Sequence, residues 1–416
     1  MSKKKLMFII PDLGFGGAQG VVYRLCNAFE NYEKTVVIFE SITNYNINAT
    51  LISLNSPAAQ NIFIKLFRFP IRFYKLRKIK KKIDPHYIIS FLEPANLFNI
   101  LTKFNNQKII LSFRSNYTST FTDDPFFSQG LTRKISYYIY LLSLKMFYNK
   151  ADLFVAVSKD VASDLIKNFS IDPKKTVVIN NPYPIENIKN LTKEPLDKYE
   201  TIFKNPVLIT AGRLSKQKGQ WYLLRIFKAL KQKHNDLKLV ILGEGELKDY
   251  LVELSGNFGL KTCVWDRDRL SSDFDVYFLG FQRNPFKFIA RSKLFVFPSL
   301  WEGFPNALVE AMVCGVPVIS SDCRSGPREI LAPSTDFNYQ TQEPEFASNG
   351  VLMPVFEVKY KTAEESLEEK EIMWVKVINK MLEDEGLRRQ YSEKAKQRAV
   401  DFRIEKIVGE WMEVLG

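Results

Sequence analysis

Short apolar runs alternate with amphipathic helical stretches along this chain, stop once, and begin again. The first run is Leu6-Met-Phe-Ile-Ile-Pro11, followed by the glycine-rich Asp12–Gly17 and a helical pattern through Phe29. Strand, glycine loop and helix in that order open a doubly wound α/β domain. Further strand-like runs lie at Val36–Phe39, Tyr87–Leu92, Ile109–Phe113, Leu153–Val157 and Val177–Ile179. Asn180-Asn-Pro-Tyr-Pro184 breaks the pattern, and a polar stretch follows to Asn205. The alternation then restarts with strands at Val207–Ala211, Leu237–Leu242, Val276–Leu279, Leu294–Phe297 and Val316–Ser320. Helical patterns at Gln220–Lys233, Glu246–Asn257 and Asn284–Arg291 separate the earlier of these. Such alternation predicts mostly parallel sheets, and 416 residues are too many for one ordinary core. The fold class expected is α/β, with two Rossmann-like doubly wound domains facing across a cleft. Their bounds are placed at 1–182 and 205–395, with a linker at 183–204.

Charge is divided between the halves. Residues 1–182 hold 25 Lys and Arg against 12 Asp and Glu, whereas 183–416 hold 34 against 34. An excess of +13 in one half points to an anionic partner there. Gln60–Lys82 carries nine of those cations and no acid, interleaved with Ile62, Phe63, Leu66, Phe67, Phe69, Phe73 and Tyr74, and Pro70 is expected to kink or divide it. A second aromatic and basic stretch spans Leu131–Lys150. Both read as in-plane helices on an anionic membrane surface or as core helices with a solvated lysine face. Nucleic acid is not expected, because none of the usual motifs is present. Cys26, Cys263, Cys314 and Cys323 show no zinc spacing, and His86 and His234 are the chain's two histidines, so no metal site and reduced thiols are expected. No apolar run approaches the roughly 20 residues that span a bilayer.

The most chemically specific stretch is Pro298-Ser-Leu-Trp-Glu-Gly-Phe-Pro-Asn-Ala-Leu-Val-Glu-Ala-Met-Val-Cys-Gly-Val-Pro317. A short helix is expected from about Pro305 to Cys314, with Pro305 suited to its first turn and Gly315 to the left-handed position past its end. Glu302 falls in the loop before it and Glu310 inside it, and free N–H groups near Phe304–Ala307 suit an anion or sugar hydroxyls. Ala211-Gly-Arg-Leu-Ser-Lys-Gln-Lys-Gly219 ends the first strand after the break. Its Arg213 and Lys218 are of the types that hold phosphate oxygens.

Glu302, seven intervening residues and Glu310, with Gly303-Phe304 between them, resemble the signature of retaining GT-B glycosyltransferases of family four. Arg213 and Lys218 resemble that family's Arg-x-x-x-x-Lys-Gly motif for the donor diphosphate, where their charge would stabilise the departing nucleoside diphosphate. Gly243 resembles the cleft-lining Gly-x-Gly turn, and the backbone of Leu279 and Gly280 would meet the nucleobase. Gly14-Phe-Gly-Gly-Ala-Gln19 is similar to the family's first loop, which places Gly16 and Gly17 at the donor phosphate and Gln19 on the acceptor side. The family's arginine after that loop is replaced here by Gly20. By the same likeness Glu302 would touch the transferred sugar and Glu310 the ribose. The backbone of Gly303, Phe304, Pro305, Asn306, Ala307 and Leu308 would meet sugar hydroxyls and the β-phosphate. Where many relatives carry a histidine this chain has Arg114-Ser-Asn116; the likeness makes Asn116 an acceptor-side candidate and Arg114 an acceptor-side or phosphate contact, with a surface arginine as the alternative. The last helix, 396–416, would cross back onto the first domain.

The resemblance implies a metal-independent hexosyl- or N-acetylhexosaminyltransferase that needs no cofactor. It would move a sugar with retention from a nucleotide-sugar, expected to be UDP-linked, to a lipid-linked or oligosaccharide acceptor, as in polysaccharide biosynthesis. Its place would be cytoplasmic, peripheral on the inner face of the plasma membrane. Two alternatives stay open: a glycosyltransferase with a soluble acceptor, and a non-catalytic dinucleotide-binding module in which Glu40 is the ribose acid. Asp266-Arg-Asp268 imitates a metal motif of a different glycosyltransferase fold but lies in the wrong surroundings. Tyr277, Phe278 and Phe281 are expected in the core.

Overall fold

The computed structural model describes residues 3–57, 62–118, 142 and 146–416. It comprises two compact units, residues 1–183 with 402–416, and residues 184–401. The first is built on strands β1 (Lys4–Ile10), β2 (Tyr32–Ile38), β3 (Thr50–Ser53), β4 (Tyr87–Phe91), β5 (Lys108–Phe113), β6 (Leu153–Ala156) and β7 (Thr176–Val178). They form one parallel sheet in the order β3-β2-β1-β4-β5-β6-β7. Its described helices before residue 184 are α1 (Gly17–Ala28), α2 (Ile62–Ile83), α3 (Ala95–Leu101) and α4 (Lys159–Phe169). Phe8, Ile10, Val36, Ile89, Ile110 and Val155 share one buried face with Val21, Val22 and Leu25 of α1, which is why these strands read as unbroken apolar runs.

The second unit contains β8 (Val207–Ala211), β9 (Lys238–Leu242), β10 (Thr262–Val264), β11 (Val276–Phe278), β12 (Leu294–Phe297), β13 (Val318–Ser321), β14 (Glu345–Phe346) and β15 (Val351–Met353). The order is β10-β11-β9-β8-β12-β13-β15-β14, parallel except for the short edge strand β14. Its helices are α5 (Ile185–Thr192), α6 (Gln220–Lys231), α7 (Lys248–Asn257), α8 (Phe286–Ile289), α9 (Asn306–Val313), α10 (Pro327–Leu331), α11 (Glu369–Glu383) and α12 (Glu385–Ala399). After α12 a turn at Val400–Phe402 leads into α13 (Ile404–Leu415), which belongs to the first unit.

Several boundaries differ from the sequence reading. The stretch expected as a linker, 183–204, contains α5 and two 3-10 turns, Asp197–Tyr199 and Ile202–Lys204. Helix α5 packs on α8 and α9 with Ile188 buried. The Asn284 and Arg291 side chains donate to the carbonyls of Leu191 and Thr192 at its end. A proline and asparagine cluster that looked like a breaker in fact ushers in a helix, because Pro184 precedes an amphipathic Ile-rich turn. The final crossover is a paired one: Tyr183 N–H donates to Phe402 O, and Ile404 N–H to Tyr183 O, each at 2.9 Å. Trp411 of α13 is fully buried against Phe91, with ring centroids 6.4 Å apart. Strands β3, β10, β14 and β15 are too short or too polar to stand out in the sequence.

Helix α2 runs unbroken through Pro70, so the proline does not divide it. Ile64, Phe67, Ile71 and Tyr74 are exposed, and their 3-4-3 spacing puts them on one face. The opposite face holds Leu76 and Lys80, both fully buried. Lys80 Nζ donates to Asn99 O at 2.8 Å and to Asn99 Oδ1 at 2.7 Å. Burial pushes its ammonium well below the usual lysine range. Most of the other basic stretch, 131–150, lies outside the described residues. No described helix is long and apolar enough to cross a membrane.

The second unit is locked by a buried ion pair. Arg225 of α6 and Glu371 of α11 both have no exposed side-chain surface, and Arg225 Nε lies 2.5 Å from Glu371 Oε1. The remaining guanidinium hydrogens go to the carbonyls of Thr362, Glu365 and Ser366 at 2.5, 3.1 and 2.8 Å. One cation thus fixes a helix and the loop that precedes it.

Candidate active site

Parallel strands finish at a common edge, and ligands of such sheets sit at that edge. Along the second sheet, the ends of β11, β9, β8, β12 and β13 are successive neighbours. They carry in turn Leu279–Gly280, Gly243, the Gly212–Lys218 turn, the Ser299–Pro305 loop and the segment 322–326. With strands about 4.8 Å apart, β11 to β12 is about 14 Å, an arc fit for an extended ligand.

Hydrogen bonds lace these loops together. Gly243 N–H donates to Gly280 O at 2.8 Å, Gly212 N–H to Leu242 O at 2.9 Å and Leu300 N–H to Gln217 O at 2.8 Å. The Gln217 side chain reaches Trp301 O at 2.7 Å, and the Gln220 side chain reaches Arg213 O at 2.9 Å. Two glycines permit this closeness. Gly243 has φ +132°, and a Cβ there would lie 2.0 Å from Gly212 O; Gly219, at φ +59°, would meet Pro298 O at 2.5 Å. No side chain fits either position without moving backbone.

Within this frame Lys218 Nζ forms an ion pair with Glu302 Oε1. The same ammonium sits 5.0 Å from the centre of the Phe297 ring. Glu302 is buried, at 7 % exposure, and is held by its backbone: its N–H donates to Arg324 O at 2.7 Å and its carbonyl accepts from Ser325 N–H at 3.1 Å. That bracket was not visible in the sequence; in the structure a Cβ on Gly326 would lie 2.7 Å from Pro305 Cδ. Burial, followed by the Glu302 charge, pushes the Cys323 thiol well above the ordinary range, which disfavours the reactive thiolate. Arg213 is exposed on the turn that carries Lys218.

The helix after the loop spans Asn306–Val313, with Pro305 extended at its cap rather than inside its first turn. Past its end Gly315 takes φ +73°, the left-handed conformation that its position called for. Gly303 and Phe304 are buried, Asn306 and Ala307 half-buried, and Leu308 buried. Glu310 is half-buried in the second turn. Tyr277 and Phe278 are core residues, but Phe281 is 43 % exposed beside Gly280, contrary to the core placement expected for it. Asp266 pairs with Lys248, and Asp268 Oδ2 accepts from Val264 N–H at 2.9 Å, both structural roles. Among the described residues no group of three or more His, Cys, Asp or Glu could hold a metal ion.

In the first unit the loop after β1 is pinned by Asp12, whose Oδ1 accepts from Gly14 N–H at 2.8 Å and Gln19 Nε2 at 3.2 Å. Gly16 caps α1 and Gly17 opens it. Asn116 is buried and donates to Asp160 Oδ2 at 2.7 Å, tying the end of β5 to the first turn of α4. Arg114 is not the surface residue its alternative reading allowed. It stacks on Phe91 with 4.9 Å from Cζ to the ring centre and donates through Nη1 to Asn181 Oδ1 at 2.8 Å. Burial lowers its pKa to about 9, which leaves it charged at neutral pH.

Known proteins agree with this architecture. Residues 15–187 match the family model described as Glycosyltransferase Family 4, and residues 193–345 match Glycosyl transferases group 1. An uncharacterized glycosyltransferase of Methanocaldococcus jannaschii is 37 % identical over 91 % of this chain and 91 % of its own. A Campylobacter jejuni protein is 30 % identical over 99 % of both chains. It bears the name N-acetylgalactosamine-N,N'-diacetylbacillosaminyl-diphospho-undecaprenol 4-alpha-N-acetylgalactosaminyltransferase. Among solved structures, Anabaena HepE in complex with UDP and glucose superposes with a TM-score of 0.72 over 99 % of each chain at 18 % identity. The glycosyltransferase WaaG does so with 0.68 over 99 % of each chain at 13 % identity. Relatives this similar over nearly the whole length, together with the twin parallel sheets, make this chain a GT-B glycosyltransferase of family 4.

Proposed function

We propose that this enzyme transfers a sugar with retention of configuration from a UDP-sugar to a lipid-diphosphate-linked or growing glycan, at the cytosolic face of a membrane. The observation that carries the reading is the meeting of Lys218 and Glu302 from adjoining strand ends, with Arg213 on the same turn. Arg213 and Lys218 hold the donor diphosphate and stabilise its charge as it leaves. Glu302 engages the sugar, Glu310 the ribose, and the backbone at Leu279–Gly280 the base. Gly16 and Gly17 are assigned to the donor phosphate and Gln19 to the acceptor. The acceptor hydroxyl forms its bond to the anomeric carbon as the carbon–phosphate oxygen bond breaks, and its proton passes to the leaving phosphate. No cofactor or metal takes part.

A panel of UDP-, GDP- and ADP-sugars with a polyprenyl-diphosphate-linked sugar tests this. The expected result is transfer from a UDP-N-acetylhexosamine or UDP-hexose and an α-linked product by NMR. A β-linked product from an α-linked donor, or a thermal shift with NAD alone, removes the reading. At 100 times its dissociation constant a nucleotide adds about 2.7 kcal/mol of stability, so the shift is easily read. Glu310→Ala is expected to raise the KM for the donor about tenfold or more.

The membrane part rests on α2. Phe67 and Tyr74, 72 % and 68 % exposed, continue the stripe of Ile64 and Ile71, and exposed Lys78 and Lys82 prolong the same face toward the helix end. Apolar residues that insert and cations worth about 1 kcal/mol each at an anionic surface suit one lipid leaflet. The Phe67→Glu/Tyr74→Glu variant is expected to lose at least tenfold in co-sedimentation with phosphatidylglycerol vesicles. Equal binding to anionic and neutral vesicles would discard the membrane assignment.

A further inference from the structure

Arg114 presents an unused fork. Its Nη1 is spent on Asn181, while Nε and Nη2 are shut off from solvent and have no hydrogen-bond partner among the described residues. Those two nitrogens form one edge of the guanidinium, with parallel N–H vectors that match two oxygens of a phosphate or carboxylate. The plane is fixed by stacking on Phe91 and the far edge by Asn181, so the fork is already oriented and loses little freedom on binding. Ser112, two residues earlier near the end of β5, has a buried hydroxyl that also lacks a partner among the described residues. No carboxylate among the described residues pairs with Arg114. A buried cation in this state is costly unless an acceptor-rich group completes it.

The placement favours a substrate over a structural ion. Arg114 follows the last residue of β5, Phe91 ends β4, and Asn181 lies just past β7. All three are at the edge where the strands of a parallel sheet present ligands. The residue as a whole is only half-buried, although Nε and Nη2 themselves are enclosed, so a ligand reaches the fork when the side chains covering it give way.

We infer that the Nε/Nη2 edge of Arg114, backed by Asn181 and Phe91, receives a phosphate oxyanion of a substrate in the first unit. This rests on the transferase reading for the identity of the substrate, but the anion site itself does not. The oxyanion can come from the donor diphosphate or from a diphosphate on the acceptor.

Pyrophosphate is the first probe, titrated calorimetrically into the full chain carrying Arg213→Ala and Lys218→Ala, which removes the other anion site. Saturable binding is expected, and Arg114→Lys on that background is expected to weaken it at least tenfold, because an ammonium keeps the charge and loses the fork. Absence of binding on that background, or equal binding with Arg114→Lys, overturns the inference. Arg114→Gln gives the same readout without charge, and circular dichroism confirms that both variants fold. In the otherwise native enzyme, the source is read from kinetics. A raised KM for the nucleotide-sugar in acceptor-free hydrolysis assigns the donor, and a raised KM for the lipid-linked acceptor at saturating donor assigns the acceptor. Unchanged values for both, with Arg114→Lys, also overturn it. If the native enzyme handled no nucleotide-sugar, the functional reading would fall while the pyrophosphate arm still reported on Arg114.

Discussion

Lys218→Ala is expected to lower kcat/KM for sugar transfer by about 10²- to 10³-fold, the loss typical when one preorganised charge is removed from a developing anion. Two consequences of the geometry sharpen this. Lys218 is ion-paired with Glu302 and lies over Phe297, so it is held ready before substrate arrives. Its removal also leaves the Glu302 carboxylate buried with its cation gone, a double injury to the donor site. Lys218→Ala and Lys218→Ala/Glu302→Ala should therefore have similar rates, because residues that act as a unit lose function together. Initial-rate kinetics on Lys218→Ala, Glu302→Ala and the double variant checks it. If the double variant lost the product of the two single effects, the two groups would be acting independently. Full activity in Lys218→Ala would dismantle the donor-site assignment.

The second large effect concerns stability. Arg225→Met is expected to cost about 3–5 kcal/mol, because it strands Glu371 as an unpaired buried charge. The three carbonyls at 362, 365 and 366 lose their donor as well. Urea unfolding followed by tryptophan fluorescence is a suitable measurement, since Trp221 and Trp374 are buried in the same core. Arg225→Met/Glu371→Leu should recover part of the loss, as apolar replacement of a buried pair removes the desolvation cost. A double variant no more stable than Arg225→Met would show that the carbonyl contacts, not the carboxylate, dominate.

The tight turns of the second unit were readable because their signals are local. Gly212, Gly219 and Gly243 mark turns at strand ends, and Gly315 marks a helix end, each through a conformation or close approach that favours glycine. Arg213, Lys218 and Glu302 were singled out by residue type and position relative to those turns. Phe281 escaped because hydrophobic type does not tell whether a strand-end ring turns inward. The helix at 185–192 escaped because Asn and Pro residues mark turns and helix starts alike, and only packing on α8 and α9 decides which. In α2 the sequence showed a basic, aromatic segment; that Lys80 points inward to Asn99 while Lys78 stays outside follows from the helix phase against the sheet.

From its own residues the chain dictated the two runs of alternating strands and helices, the places where the backbone must turn tightly, and the types of side chain waiting there. These follow from periodicity and steric limits that act over a few residues. What the tertiary structure alone decided is who meets whom. Lys218 and Glu302 are 84 positions apart, Arg114 and Asn181 67, and Arg225 and Glu371 146. Such pairs form only once the strand order is set, because strand order depends on how whole helices and strands pack, and no short stretch of sequence carries that information.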